Sequence, residues 1–342
     1  MWLFLGNSGW LAMHGKEENT VMKKAMKRAG VLAAVIAAGA ALVVSADTAD
    51  KIHIRDPFVV VDKEKSCYCL LSSCFAPPGE RGNDGFSFLG TGAKIYESKD
   101  LVNWSEARQV LTIPDWVGCR ALWAPELHQF RGKWYIFGTV NGDGNRRGTW
   151  TFVSENLRGP YRPTGRRPIT PPEWLALDGT LWVEDDKPYM VFCHEWVQIG
   201  DGEMCYVQMN DDLSAPVGEP RTLFKATDYT ATPSKARCLD HVTDGPFLYR
   251  SPKSGKLFMT WSNVDSKRQY VVILSESSSG RLAGPWGRHK VIFGRDGGHG
   301  MLFRKLDGSL AFALHQPNAV RRERPKFFPV EDDGETLRIV QE

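Results

Sequence analysis

The sequence lacks most of the signals that would organise a small or metal-built protein. Among its 342 residues no two cysteines stand in a CxxC pair, and the total of seven is odd. A disulfide framework is therefore excluded by count. Cys67 and Cys69 share one strand face at i and i+2, a poor geometry for bridging. Cys193 and Cys205 lie in apolar strand contexts, so these thiols read as small buried hydrophobes. Long helical periodicity is missing, and no Asp-rich calcium loop of the EF-hand form occurs. Net charge is missing too, once the N-terminus is set aside. Residues 1–46 carry five basic groups (Lys16, Lys23, Lys24, Lys27, Arg28) and two acidic ones (Glu17, Glu18). Removing them from 43 basic and 40 acidic residues leaves 38 of each sign. A neutral body gives no electrostatic footprint for a nucleic-acid partner.

Long apolar runs are scarce, and the clearest is residues 29–46, AGVLAAVIAAGAALVVSA. It carries no charge, follows the cluster Lys23, Lys24, Lys27 and Arg28, and exits through Val44, Ser45 and Ala46 to Asp47. This is the pattern of a secretory signal. A retained anchor is the alternative, since the run is near the roughly 18 residues needed to span a bilayer. The Ala and Gly content and the small-residue exit favour cleavage, and no cysteine stands there for a lipid. The expectation is an N-terminal extension and signal over 1–46, started at Met22 or Met26 if not at Met1. The mature domain is then 47–342, secreted or periplasmic, without stable membrane insertion.

What the body does contain is aromatic residues, 12 Trp, 17 Phe and 9 Tyr, and a recurring hairpin. Its clearest copy is LDGTLWVEDDKPYMVFCHEW, residues 177–196. A strand over 180–183, a turn of Glu184, Asp185 and Asp186, and a strand over 189–193 lie between Asp178 and the trio His194, Glu195 and Trp196. Similar units begin at Arg55, Ala124, Thr243 and Gly298. With Asp56, Glu126, Asp178, Asp244 and His299 taken as equivalent, each step has room for one four-stranded sheet and its loops. The segments 94–106, 149–161, 205–220 and 271–286 read as a strand, a polar turn and a Trp, Tyr or Pro, and supply the outer strands. The fold class expected is all-β, a five-bladed β-propeller. A two-sheet sandwich competes, but leaves the recurrent titratable position unexplained. In a propeller the innermost strands line one channel, so Asp56, Asp178, Asp244 and His299 converge at one end of it. One such Asp is most simply a turn cap; three at a matched position suggest a site.

These motifs resemble glycoside hydrolase family 43. The resemblance is carried by Arg55-Asp56-Pro57-Phe58, Trp123-Ala124-Pro125-Glu126-Leu127-His128, Leu177-Asp178-Gly179-Thr180, Asp244-Gly245-Pro246-Phe247 and Gly298-His299-Gly300, with the run SKDLVNW at 98–104. It spans residues 52–330 and implies inverting hydrolysis of arabinofuranosides, xylosides or related glycans. Inversion needs a base to activate water and an acid to protonate the leaving oxygen, about 6.5–9.5 Å apart. The resemblance implies Asp56 as general base and Asp178 as the group that tunes the acid. The acid position departs from the family's Glu-Gly-Pro, because Asp244 is one methylene shorter. Three readings stay open: Asp244 is the acid, another acid serves (Glu195 first, Glu126 second), or the propeller binds carbohydrate with weak catalysis.

Sugar contacts are expected from Phe58, Trp123, Trp196 and Trp261 by stacking. His128, His194, His315, Gln316 and Arg55 are expected to donate to hydroxyls, and the Gly-rich stretches 82–92 and 141–148 to rim the pocket. His299, between two glycines, is the candidate metal residue; the resemblance allows a structural calcium or sodium ion in the channel, with no cofactor required. No long aromatic path is evident, which favours a small pocket and exo action on an oligosaccharide or polysaccharide by a monomer.

Overall fold

The computed structural model describes residues 47–75, 89–142, 146–229 and 241–341. The hairpin at 176–194 shows how the local sequence builds the whole. Its strands are Ala176–Glu184 and Lys187–His194, paired from Ala176↔His194 to Glu184↔Lys187. Asp185 and Asp186 have φ of 51° and 59°. Two residues of positive φ make the turn whose twist matches a hairpin, and Asp tolerates that region better than most side chains. The turn is therefore two residues, not the three expected, because Glu184 already belongs to the ladder.

Five such sheets follow in chain order, each starting on an innermost strand: Phe58–Asp62, Cys119–Phe130, Ala176–Glu184, Asp244–Arg250 and Gly298–Arg304. Blades 2 to 5 are four-stranded antiparallel sheets in sequential order. Blade 1 adds the short strand Asp47–Thr48, paired with Asn103–Trp104, and Arg108–Thr112 paired with Leu89–Ser98. The chain is an all-β, five-bladed propeller. Apolar side chains pack between the sheets. Leu71, Leu122, Ile136 and Phe152 belong to a core shared by blades 1 and 2, and Phe137, Met190 and Phe192 to one shared by blades 2 and 3. Leu177, Val191, Met259 and Ile273 join blades 3 and 4, and Phe258, Phe312 and Leu314 join blades 4 and 5. Burial on both faces removes the clean apolar–polar alternation of a one-sided sheet.

The innermost strands of blades 2 to 5 break register. The breaks fall at Trp123/Glu126, Leu177/Thr180, Asp244/Phe247 and Gly298/Met301. The residue just inside each break has positive φ: Ala124 (41°), Asp178 (57°), Gly245 (50°) and His299 (47°), with Asp56 (52°) at the matching place in blade 1. Bulges of this kind re-aim a side chain at the end of a strand. They also correct the expected alignment. Asp244 stands one residue before the matched position and Glu126 two after it; the true equivalents there are Gly245 and Ala124.

Among the described residues no strand is exchanged between blade 5 and blade 1. Side chains close that seam. Glu323, fully buried, bonds His53 Nε2 at 2.9 Å and Arg55 Nη1 at 3.1 Å; Arg55 Nη1 also donates to Asn318 Oδ1 at 2.8 Å, and Arg324 Nε to the Asp50 carbonyl at 2.8 Å. The described cysteines are free thiols, and Cys67, Cys69, Cys193 and Cys205 are buried as expected. Among the described residues no helix is long and apolar enough to cross a membrane; the apolar run 29–46 lies outside them.

Candidate active site

The bulges bring Asp56, Asp178, Asp244 and His299 together at one end of the channel. His299 Nδ1 lies 3.3 Å from Asp56 Oδ1 and 3.7 Å from Asp178 Oδ2. The Gly245 N–H donates to Asp178 Oδ2 at 3.1 Å, and Asp244, the residue before Gly245, is near enough for its charge to act on the Asp178 carboxyl. Asp56, Asp178 and His299 are buried, whereas Asp244 is partly exposed. The Tyr270 hydroxyl donates to Asp244 Oδ2 at 2.8 Å.

A second regularity fixes the ring. The N–H of each polar matched residue is bonded by a side chain from the second strand of the preceding blade. Asp178 N donates to Thr139 Oγ1 at 2.8 Å, His299 N to Ser262 Oγ at 2.8 Å, and Asp56 N to His315 Nδ1 at 3.2 Å across the seam. Thr139, Ser262 and His315 occupy equivalent ladder positions, opposite Trp123, Asp244 and Gly298. Positive φ costs a non-glycine residue about 1 kcal/mol or more; these bonds hold it in place. Because His315 Nδ1 accepts from Asp56 N–H, its proton sits on Nε2, which faces Asn318 Oδ1 at 3.3 Å.

The electrostatics separate the two buried carboxylates. Burial works against ionising Asp56, but His299 and Arg55 outweigh it and hold the carboxyl well below the usual range. Arg55 Nε is 3.8 Å from Asp56 Oδ2. Asp178 goes the other way. Burial first, then the charges of Asp244 and Asp56, push its carboxyl well above the usual range. Burial also depresses the His315 imidazole, aided by Arg55, so that ring is neutral.

Glu195 closes the Lys187–His194 strand and precedes the short helix Trp196–Ile199. It is buried and ion-paired with Arg147, whose guanidinium also lies 4.9 Å from the Trp123 ring centroid. Burial pushes the Glu195 carboxyl up, Arg147 pulls it back, and the charge of Asp244 adds a further upward push. Trp123 and Trp196 are partly exposed beside this pair.

Other expected contacts are not at the mouth. Trp261 is fully buried, donates Nε1 to Ser275 Oγ at 2.7 Å and packs on Phe224 and Tyr229; its neighbour Ser262 is the residue that reaches the site. Phe58 is buried against His128 and Phe247. His194 is covered by Trp174, stacked at 4.0 Å, and bonds Gln198 Oε1 at 2.9 Å. His315 is fully buried and positions Asp56 instead of meeting a sugar hydroxyl. Glu126 bonds His128 at 2.8 Å, away from the carboxylate cluster, because it lies two residues past the bulge. Of the expected rim, residues 82–88 and 143–145 lie outside the described residues.

Around His299 the fit to calcium is poor. Its Nδ1 already faces two carboxylates, and among the described residues no group of three or more donors that could hold an ion includes His299. No step is derived through a metal. The only described donor cluster of metal-binding size is Cys67, Cys69 and Glu97, where Arg158 bonds Glu97 and approaches both sulfurs at 3.6 and 3.8 Å.

Sequence reading missed Tyr270, Thr139, Ser262 and Arg147. The first three had a signal: small or aromatic polar residues at matched places in blades otherwise filled with apolar side chains.

Three carboxyl groups gathered at one end of a five-bladed propeller, one held ionised and one pushed toward its protonated form, are the kind of donor set that glycoside hydrolysis uses. The chain matches the model of glycosyl hydrolases family 43 over residues 51–330 and belongs to that family. An endo-arabinase from Bacteroides thetaiotaomicron VPI-5482 is 33% identical, with a TM-score of 0.73 over 84% of this chain and 98% of that one. An extracellular exo-α-(1→5)-L-arabinofuranosidase of Cellvibrio japonicus (strain Ueda107) is 24% identical over 257 residues, 70% of this chain and 67% of that protein. Another, from Streptomyces chartreusis, is 25% identical over 181 residues, 50% of this chain and 52% of that protein. The chain thus spans between half and two thirds of the length of these two relatives. It is a glycosidase of family 43.

Proposed function

We propose that this protein hydrolyses L-arabinofuranosyl linkages of plant glycans with inversion, using Asp56 as base, Asp178 as modulator and Asp244 as acid. The observation that carries the reading is the gathering of Asp56 and Asp178 around His299, with Asp244 beside them, the Asp56 carboxyl held below the usual range and the Asp178 carboxyl pushed above it. Asp56 takes a proton from a water on the sugar face opposite the leaving group. The water oxygen bonds to the anomeric carbon as the glycosidic bond breaks, and the departing oxygen takes the proton of Asp244.

Burial and the neighbouring charges of Asp244 and Asp56 favour the protonated form of Asp178. Asp178 is buried, whereas Asp244 is partly exposed and so the one open to a leaving oxygen. Tyr270 fixes the direction in which the short side chain points. Arg147 gives Glu195 a counter-charge, which suits a residue that positions the mouth better than one that donates a proton. The shortened acid is the one feature that favours the alternative, a catalytically weak carbohydrate-binding propeller.

The arabinofuranosyl choice is supported by the names of the relatives. We also infer that 1–46 is an exported leader, in keeping with the two relatives named extracellular; N-terminal sequencing of protein recovered from the medium should begin at Asp47. Hydrolysis of aryl arabinofuranoside, xyloside and galactoside, with Asp56→Asn as blank, tests the function. The arabinofuranoside should be cleaved to a product of inverted anomeric configuration. Equal activity of the blank would overturn the assignment.

A further inference from the structure

Blade 2 rises above the carboxylate cluster, and its raised part holds a cleft the proposed reaction does not use. Cys119 pairs with Gly142 and Asn141 with Arg147, so three strands continue past the bulge at Trp123. The cleft has a volume of about 490 Å³, within the range of small-ligand sites. Its walls are Val117, Val140, Trp150 and Pro168, with Arg146 and Arg147 at the polar side. Close backbone approaches shape it: a Cβ on Gly142 would come within 3.1 Å of the Gly118 carbonyl, and one on Gly148 within 2.8 Å of Pro168 Cβ.

At its edge Trp116 is 53% exposed, its ring 6.1 Å from that of Trp150, and the Arg166 guanidinium lies 5.5 Å from the Trp116 centroid. An indole this open is a flat apolar platform of the kind a sugar ring covers. Among the described residues the charge lining the cleft has one sign: no described acidic residue lines it, neither Arg146 nor Arg166 has an ion pair with a described residue, and the nearby acids Asp115 and Glu173 are exposed and stand outside the lining. Arg147 joins the cleft to the active site, since it lines the one and pairs with Glu195 in the other.

We propose that this cleft binds a uronic acid unit of the glycan, its ring on the Trp116–Trp150 side and its carboxylate on Arg146 and Arg166. The inference deepens the proposed function and rests on it. Guanidinium forks match carboxylates, and a neutral sugar would leave their charge unanswered. The enzyme would then act beside an acidic branch, with one part of the substrate held on blade 2 and the scissile bond over the carboxylates.

Calorimetric titration of the full chain with three probes tests this: glucuronic-acid-substituted xylotriose, trigalacturonic acid, and neutral xylotetraose. At least one acidic probe should bind about tenfold more tightly than xylotetraose, with the advantage lost at high salt. Which acidic probe wins distinguishes a xylan branch from a pectic chain. The double variant Arg146→Ala/Arg166→Ala should erase the advantage, and Arg146→Glu should reverse it; both changes are on exposed side chains, and circular dichroism checks the fold. Equal affinity for acidic and neutral probes, no binding of any probe, or an advantage that survives the double variant overturns the proposal. Aryl arabinofuranoside turnover by the same wild-type preparation reports the catalytic reading separately, so failure of one is distinguishable from failure of the other.

Discussion

Asp56 in blade 1 and Asp178 in blade 3 share one backbone conformation at the matched position, with φ of 52° and 57° and exposures of 8% and 5%. Backbone and burial are matched, yet the two carboxyls move in opposite directions. The difference lies in what the neighbouring blades bring. Asp56 faces His299, Arg55 and His315, whereas Asp178 faces Asp244 and Asp56. Fold symmetry supplies the position, and the neighbours supply the chemistry.

Removing the base breaks the comparison most severely. Asp56→Asn should lower kcat on aryl arabinofuranoside about 10³-fold, measured with purified protein. Next comes the acid. Asp244→Ala should cost about 10²-fold on substrates with poor leaving groups and far less on aryl glycosides, which depart without a proton. Glu195→Ala should not show that leaving-group dependence; if it does and Asp244→Ala does not, the acid is Glu195.

Stability sharpens the contrast. The depressed Asp56 contributes stability that is present above the ordinary carboxylate pKa and is lost as pH falls through its lower folded value. The raised Asp178 contributes most when protonated, and that contribution is lost as pH rises through its higher folded value. Urea unfolding at pH 8 should therefore show Asp56→Asn destabilised and Asp178→Asn stabilised, each by about 1–2 kcal/mol. The same sign for both would refute the electrostatic account. The smallest effect concerns His315. His315→Ala removes the acceptor that holds the Asp56 N–H, so kcat on aryl arabinofuranoside should fall about fivefold with the acidic limb of kcat/KM unmoved.

The blades were legible because the hairpin recurs with its turn chemistry, and Asp56, Asp178 and His299 because they mark the same step in it. The register at Asp244 and Glu126 was not, because a bulge adds a residue that no composition signal announces. The aromatic residues were the weakest guide. Trp261 and Ser262 are adjacent on one strand, so they point to opposite faces, and with both faces buried nothing in the sequence says which looks into the channel. Arg147 was invisible for another reason: its partner Glu195 is 48 residues away, in the next blade.

The seam between blades 5 and 1 is a clasp made of side chains. Its central group, Glu323, holds Arg55, and Arg55 stands next to Asp56. The same bonds that shut the ring tune the base, and His315 reaches Asp56 across the same gap. A molecule whose clasp has slipped still contains five folded sheets but no longer has an ionised base held in place. On heating, turnover is therefore expected to fail before the sheets melt, so the loss of activity marks the opening of the ring.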